Sequence, residues 1–244
     1  MGMKEVIHGD CLIEMQKIPD KSIDMILCDL PYGTTACKWD TIIPFEPLWK
    51  EYKRIIKDNG AIVLTASQPF TSALVMSNVK MFRYEWIWQK QKGSNYANAN
   101  KIPMKVHENV LVFYKSLPTY NPQKTDLEKS YYRKGGVRKS PTKVMGKKSP
   151  AGNYLTDGVR IGRFPISVQK ISSEGMDKGN HHPTQKPVAL FEYLIKTYTN
   201  EGDLVLDNCA GSGTTGVACK NLNRQFILIE KEQEYIDIIN KRLI

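Results

Sequence analysis

The sequence has no CxxC pair. Its five cysteines, Cys11, Cys28, Cys37, Cys209 and Cys219, stand apart. That excludes zinc-ribbon and thioredoxin-like motifs and reads as reduced thiols, three of them in apolar strand-like or helix-like runs. Histidine is scarce. Of the four, only His181 and His182 are close, and adjacent side chains rarely chelate one ion, so no metal is expected. No apolar run approaches the roughly 20 residues that a membrane-crossing helix requires. Residues 1–10, "MGMKEVIHGD", carry no apolar stretch of the signal-peptide kind. The expectation is a cytoplasmic protein with no membrane partner. Acid is missing too: "YYRKGGVRKSPTKVMGKKSP" (131–150) holds seven basic residues and none of opposite sign.

What is present suits one sizeable α/β domain, alone or with a large insert: 244 residues, 41% hydrophobic. The formal charge is +10 and it is concentrated. Residues 115–178 carry fourteen Lys/Arg against five Asp/Glu, so about a quarter of the chain holds nearly all the excess. A basic run interleaved with Tyr, Gly and Pro suits nucleic-acid phosphate. A solvated loop has the same composition, and composition alone leaves both readings standing.

Continuous apolar runs mark buried parallel strands at 23–29, 60–67, 84–90, 108–115, 203–209 and 225–230. Helical spacing appears between them. "FEPLWKEYKRIIKDNG" puts Leu48, Tyr52, Ile55 and Ile56 on one face and stops at Asn59-Gly60. "PVALFEYLIKTYT" starts with Pro187 at a first helical position, and "KEQEYIDIINKRLI" repeats Tyr235, Ile238, Ile239 and Leu243. The implied fold is α/β, a doubly wound, mostly parallel open sheet. The catalytic domain is expected over 1–115 and 181–244, with a basic insert over 116–180.

In such a sheet, ligands bind beyond the carboxyl ends of strands. Two ends are chemically loaded. "LVLDNCAGSGTTG" runs from a strand into a glycine turn and a helix start near Thr214, whose free N–H groups favour an anion. About twenty residues on, "FILIE" ends in Glu230, placed to accept from two ribose hydroxyls. The pair points to a nucleoside cofactor. No Gly-Lys-Ser/Thr follows, so this is not a P-loop. "GSGTTG" formally matches the dinucleotide GxGxxG string, and the other strand end decides. There, "DLPY" places a carboxylate, a carbonyl beside a proline with no N–H, and an aromatic face together. Two acceptors beside a platform suit a flat exocyclic amine, whose lone pair they would free and whose growing positive charge they would stabilise.

"DLPY", "HHPTQKP" and "DNCAGSGTT" resemble the motifs of the S-adenosylmethionine-dependent amino-methyltransferases of DNA. Catalytic strand first and cofactor loop last is the order of their permuted β group. The likeness covers essentially the whole chain, the insert being the variable part. It implies a Rossmann-like methyltransferase fold and methyl transfer to adenine N6 in duplex DNA. Asp29, Leu30, Pro31 and Tyr32 would be catalytic, with Asp29 and the Leu30 carbonyl on the amine and Tyr32 stacked on the flipped base. The cofactor would lie against Asp10, Cys11, Asp29, His182, Thr184, Gln185 and Lys186. It would also meet Asp207, Asn208, Cys209, Ala210, Gly211, Ser212, Gly213, Thr214, Thr215, Glu230 and Lys231. Within this set Thr184 and Lys186 would pair with its carboxylate, and Asp10 would approach its adenine. Two departures stand out. Leu30 replaces the usual first proline, and Cys209 stands where Phe is common.

The resemblance gives the insert a task, gripping DNA while the target base is flipped out. Arg133, Lys134, Arg138, Lys139, Lys143, Arg160 and Arg163 are the candidates. The stretch 89–109 reads either as a loop near the flipped base or as an ordinary polar loop, and Trp39-Asp40 as pocket or core. An acid at position 29 goes with adenine in this family, and the cytosine-N4 enzyme is the near alternative. A nicotinamide oxidoreductase would leave "DLPY" and the insert unexplained. Intact Asp29 and Tyr32 speak against a catalytically dead DNA binder. A homodimer and a cognate restriction endonuclease remain open partners, and the chain would act at the nucleoid of a bacterium or be phage-encoded.

Overall fold

The computed structural model describes residues 3–35, 37, 40–125, 162–172 and 185–244. They build one eight-stranded sheet in the order β1-β8-β7-β2-β3-β5-β4-β6. The strands are β1 (Lys4–His8), β2 (Ile23–Cys28), β3 (Ile56–Ala66), β4 (Phe82–Ser94), β5 (Lys105–Phe113), β6 (Val168–Lys170), β7 (Leu204–Asp207) and β8 (Gln225–Glu230). The helices are α1 (Cys11–Glu14), α2 (Phe45–Ile55), α3 (Phe70–Ser77), α4 (Val188–Tyr198), α5 (Thr214–Asn221) and α6 (Gln233–Leu243).

The central strands are apolar where both faces are covered, over Met25–Cys28 of β2 and Ala61–Leu64 of β3. On one face Ile26 and Cys28 of β2, with Ile62 and Leu64 of β3, pack against Leu48, Tyr52 and Ile55 of α2 and Phe70 and Leu74 of α3. The residues between them, Met25, Leu27, Ala61 and Val63, meet Leu190, Phe191 and Leu194 of α4, Cys219 of α5 and Ile239 of α6 on the other. Alternate residues along a strand point to opposite faces, so two layers of helix demand an unbroken apolar run. This is the doubly wound architecture expected.

Three expectations change. The sheet is mostly parallel, as expected, but β5, read as one of the parallel strands, runs antiparallel to both β3 and β4. Residues 95–104 between β4 and β5 are too few for a crossover helix, so the pair closes as a hairpin. The helix expected to stop at Asn59-Gly60 ends at Ile55. Ile56 already pairs with Ile23, after which the register jumps to Met25 opposite Ala61. Asn59-Gly60 therefore belongs to a bulge. A side chain at Gly60 would begin 2.8 Å from the Asp24 carbonyl, so only glycine fits. Pro187 stands one residue before α4, as its N-cap. The two outermost strands, β1 and β6, and the short helices α1 and α3 were not anticipated.

The chain divides into two compact units, residues 1–121 with 167–244, and residues 122–166. Residues 116–121 and 167–172, counted with the insert from the sequence, pack in the larger unit. In the smaller one, Thr125 and Arg163 exchange backbone hydrogen bonds of 3.1 and 2.9 Å, and Lys124 Nζ lies 4.8 Å from the centre of the Phe164 ring. Of the proposed DNA-gripping residues only Arg163 is described. Arg133, Lys134, Arg138, Lys139, Lys143 and Arg160 lie outside the described residues, as do Trp39, His182 and Thr184.

Candidate active site

Parallel β1, β8, β7 and β2 end on the same edge of the sheet, and a cavity of about 540 Å³ opens there. The residues following all four strands line it, among them Asp10, Asp29, Asp207 and Glu230. Sequence positions 10 to 230 thus meet in one cleft because parallel strands carry their carboxyl ends to one side.

On the β7–β8 side the carboxylates are held by nearby backbone. Asp207 accepts from the Cys209 N–H at 3.1 Å and from the Thr215 hydroxyl. Burial outweighs those donors and pushes its pKa up to about 6. Glu230 accepts from the N–H of Gly211 at 2.7 Å, Lys231 at 2.8 Å and Glu232 at 2.9 Å. Burial raises its pKa against those three donors. Glu230 thereby clamps the glycine turn to the end of β8. Gly213 precedes α5 at φ +81°, where an added Cβ would meet Ile239 at 2.9 Å. Gly213 and Thr215 do not line the cavity; they hold the loop that does.

The Cys11 and Cys28 thiols lie close enough to Cys209 to raise its pKa, with burial adding to the shift. Cys209 is the main influence lowering the Cys11 pKa, whereas burial pushes Cys28 up to about 12. Where the family commonly has a phenyl ring, this chain has a thiol cluster. Asp10 caps α1, accepting from the Leu12 N–H at 2.9 Å, and still lines the cavity.

The β2 side is built differently. Asp29 Oδ1 accepts from the Tyr32 hydroxyl at 2.7 Å and from the Thr65 hydroxyl; Oδ2 accepts from Lys186 Nζ at 2.6 Å. Burial, and then the charges of Asp29 and Glu108, push the Tyr32 pKa well up, so the phenol keeps its proton and donates. One face of the Tyr32 ring stacks on Phe70, with centroids 5.1 Å apart and planes at 24°. Lys186 is only 6% exposed and also lies 3.4 Å from Glu108 Oε2. Burial opposes its charge, but the two carboxylates outweigh burial and raise its pKa. The loop after Tyr32 is pinned by Asp40, which accepts from the N–H groups of Gly33, Thr34 and Thr35 at 2.7–2.9 Å.

The two sides are laced together by residues 185–186. Ser212 donates to Gln185 Oε1 at 3.0 Å, and the Thr214 hydroxyl reaches the Lys186 carbonyl at 3.5 Å. Arg242 of α6 braces the same turn through the Ser212 carbonyl at 2.6 Å.

A family described as DNA methylase matches residues 23–241. The chain belongs to that family. This DNA methylase is 31% identical to the DNA adenine methyltransferase YhdJ of Escherichia coli (strain K12), over 98% of this chain and 82% of the relative. It is 28% identical to the type II methyltransferase M.HpaI of Haemophilus parainfluenzae, over 98% and 74%. Among solved structures it is similar to the M1.HpyAVI–SAM complex, with a TM-score of 0.67, 26% identity and 99% of both chains covered. The cytosine-N4-specific PvuII DNA methyltransferase superposes with a TM-score of 0.71 at 17% identity, which is a likeness of fold.

Most residues named from the sequence line the cavity of this DNA methylase: Asp29, Leu30, Pro31 and Tyr32 on one side, and Cys11, Asn208, Cys209, Ala210, Gly211, Ser212, Thr214 and Lys231 on the other, with Gln185 and Lys186 between. Lys186, expected against a cofactor carboxylate, lines the cavity and is ion-paired with Asp29. Thr65 and Glu108 were not anticipated. Thr65 is a single polar residue in an apolar stretch of β3, and that interruption was the available signal; Glu108 lies between His107 and Asn109 in the polar first half of β5 and carries no such signal.

Proposed function

We propose that this DNA methylase transfers a methyl group from S-adenosylmethionine to the N6 amine of adenine in duplex DNA. The observation that carries the reading is a single cleft with Asp29 on one wall and the Gly211–Glu230 clamp on the other. YhdJ is named an adenine methyltransferase, and M1.HpyAVI was crystallised with SAM. The donor set fits that cofactor. Gln185 Nε2 is buried with no hydrogen-bond partner, a ready donor for a carboxylate, and Glu230 keeps acceptor capacity for hydroxyls. The cofactor supplies an electrophilic methyl on a sulfonium.

The chain's own residues do the rest. Asp29 and the Leu30 carbonyl accept the amine's two N–H bonds and draw the nitrogen toward a tetrahedral shape. The acid stabilises the positive charge that grows there. Tyr32 and Thr65 fix the carboxylate's orientation. The target base is flipped out of the duplex to reach them. The basic residues Arg133, Lys134, Arg138, Lys139, Lys143, Arg160 and Arg163 grip phosphates around it, so affinity falls steeply with salt. The reading extends to a cytoplasmic enzyme with a cognate endonuclease, as the type II relatives suggest, and to a homodimer.

Incubating the chain with duplex DNA and labelled S-adenosylmethionine, then digesting to nucleosides for mass spectrometry, tests it. N6-methyladenine is expected. N4-methylcytosine overturns the choice of base, and no label on DNA overturns the reading.

A further inference from the structure

In the free enzyme the catalytic acid is fully engaged. Asp29 Oδ1 holds two hydroxyl donors, and Oδ2, the oxygen left for a substrate amine, holds the Lys186 ammonium at 2.6 Å. That arrangement opposes the chemistry twice. The amine must displace an ammonium from Oδ2, and its nitrogen becomes positive beside a like charge. A second acceptor waits on the far side of Lys186. Glu108 Oε2 is buried, makes no hydrogen bond of its own and lies 3.4 Å from Nζ. Its other oxygen is held at 2.5 Å by Lys90. Four alternating charges thus run inward from β4 through β5 to β2: Lys90, Glu108, Lys186, Asp29. Lys186 sits between two carboxylates with a short bond to one and an unfilled oxygen on the other. A cation so placed passes from one to the other by a small swing of its ammonium, without meeting water.

We propose that Glu108 is a positioning residue that takes the Lys186 ammonium from Asp29 when the target base enters. Before entry, Lys186 satisfies a buried carboxylate. After the hand-off, Oδ2 is free to accept the amine and the Asp29 charge acts undiminished on the nitrogen. No bond is made or broken in the hand-off; one hydrogen bond moves. The inference rests on the amino-methyltransferase reading.

Single-turnover methyl transfer in Glu108→Gln, Lys186→Met and the double variant tests it. Glu108→Gln keeps the shape but removes the receiving charge, so Lys186 stays on Asp29. The transfer rate is expected to fall about 30-fold with cofactor affinity unchanged, because the loss is confined to the transition state. Adding Lys186→Met then removes the trapped cation and raises the rate again, by about tenfold over Glu108→Gln alone, a coupling that a residue serving only the fold does not show. A Glu108→Gln enzyme as fast as the wild type overturns the hand-off, and so does a double variant no faster than Glu108→Gln. A measurement on the unaltered chain covers a variant that does not fold. In a crystal with a duplex and the demethylated cofactor, Lys186 Nζ is expected within hydrogen-bond distance of Glu108 and away from Asp29. A lysine still on Asp29 with the base in place overturns the proposal. A wild-type enzyme that methylates no DNA amine sinks the underlying reading, and is told apart because the rate is then absent before any substitution is made.

Discussion

The two walls of the cleft hold their acids by different means. Asp207 and Glu230 are bonded mostly by groups close along the chain, Cys209 two residues on, Thr215 eight on, Lys231 and Glu232 one and two on, with the Gly211 N–H, 19 residues back from Glu230, as the more distant donor. Asp29 is bonded by Lys186, 157 residues away, and by Thr65, 36 away. Most of these donors are backbone N–H groups, which cannot leave without unfolding their turns, so the wall proposed for the cofactor is the more fixed of the two, with the Thr215 hydroxyl as a side-chain donor beside them. Side-chain donors on separate elements can change partners, so the wall proposed for the amine is the one built to rearrange. The Tyr32 hydroxyl, three residues on, is the local donor to Asp29.

That contrast can be broken by removing the acid on either side. Asp29→Ala is expected to lower methyl transfer by about a thousandfold, with the affinity for S-adenosylmethionine held within about twofold. Equal losses of both, read by rapid quench and calorimetry, would show that the walls do not act separately.

The buried Asp207 gives the cofactor wall a pH signature. Its folded pKa of about 6 lies above the unfolded value near 4, so the folded state binds that proton more tightly. Its contribution favours folding fully below about pH 4 and is lost as the pH rises to 6, by about 3 kcal/mol. Asp207→Asn should remove that slope. Urea unfolding at pH 4.5 and 7.5 for both proteins measures it, and unchanged slopes would place the burial cost elsewhere.

A smaller effect is expected from Gly213→Ala. The residue sits at φ +81° with Ile239 2.9 Å from any added Cβ, so stability should fall by about 2 kcal/mol. Tyr32→Phe sharpens the other wall at the least cost. It keeps the stack on Phe70 but removes the hydroxyl from Asp29, and kcat should drop about fivefold with KM for the cofactor unchanged.

Strand β8 was legible to the residue, because a fully covered strand is apolar at every position and stops at its charged end. The bulge in β3 was not. Asn59-Gly60 carries the same local signal as a helix stop, and only the pairing of Ile56 with Ile23 tells the two apart. The antiparallel β5 was missed for a like reason, since strand direction leaves no mark in an apolar run. Asp29, Tyr32 and the glycine turn were readable as motifs. Glu108 was not, because an acid between His107 and Asn109 at the polar start of a strand does not announce which cation it will face.

The order of residues alone determined the class of fold and the two loaded strand ends, and from them the expectation of an amine site beside a nucleoside site. These depend on neighbours along the chain: apolar periodicity, a glycine turn, a proline after an acid. Tertiary structure alone decided that Lys186 stands between Asp29 and Glu108, that Cys11, Cys28 and Cys209 meet, and that the Thr65 hydroxyl donates to Asp29. Those contacts join elements whose positions are set by how the sheet stacks its strands, and a buried charge is satisfied by whatever partner the packing brings to it, however distant in sequence.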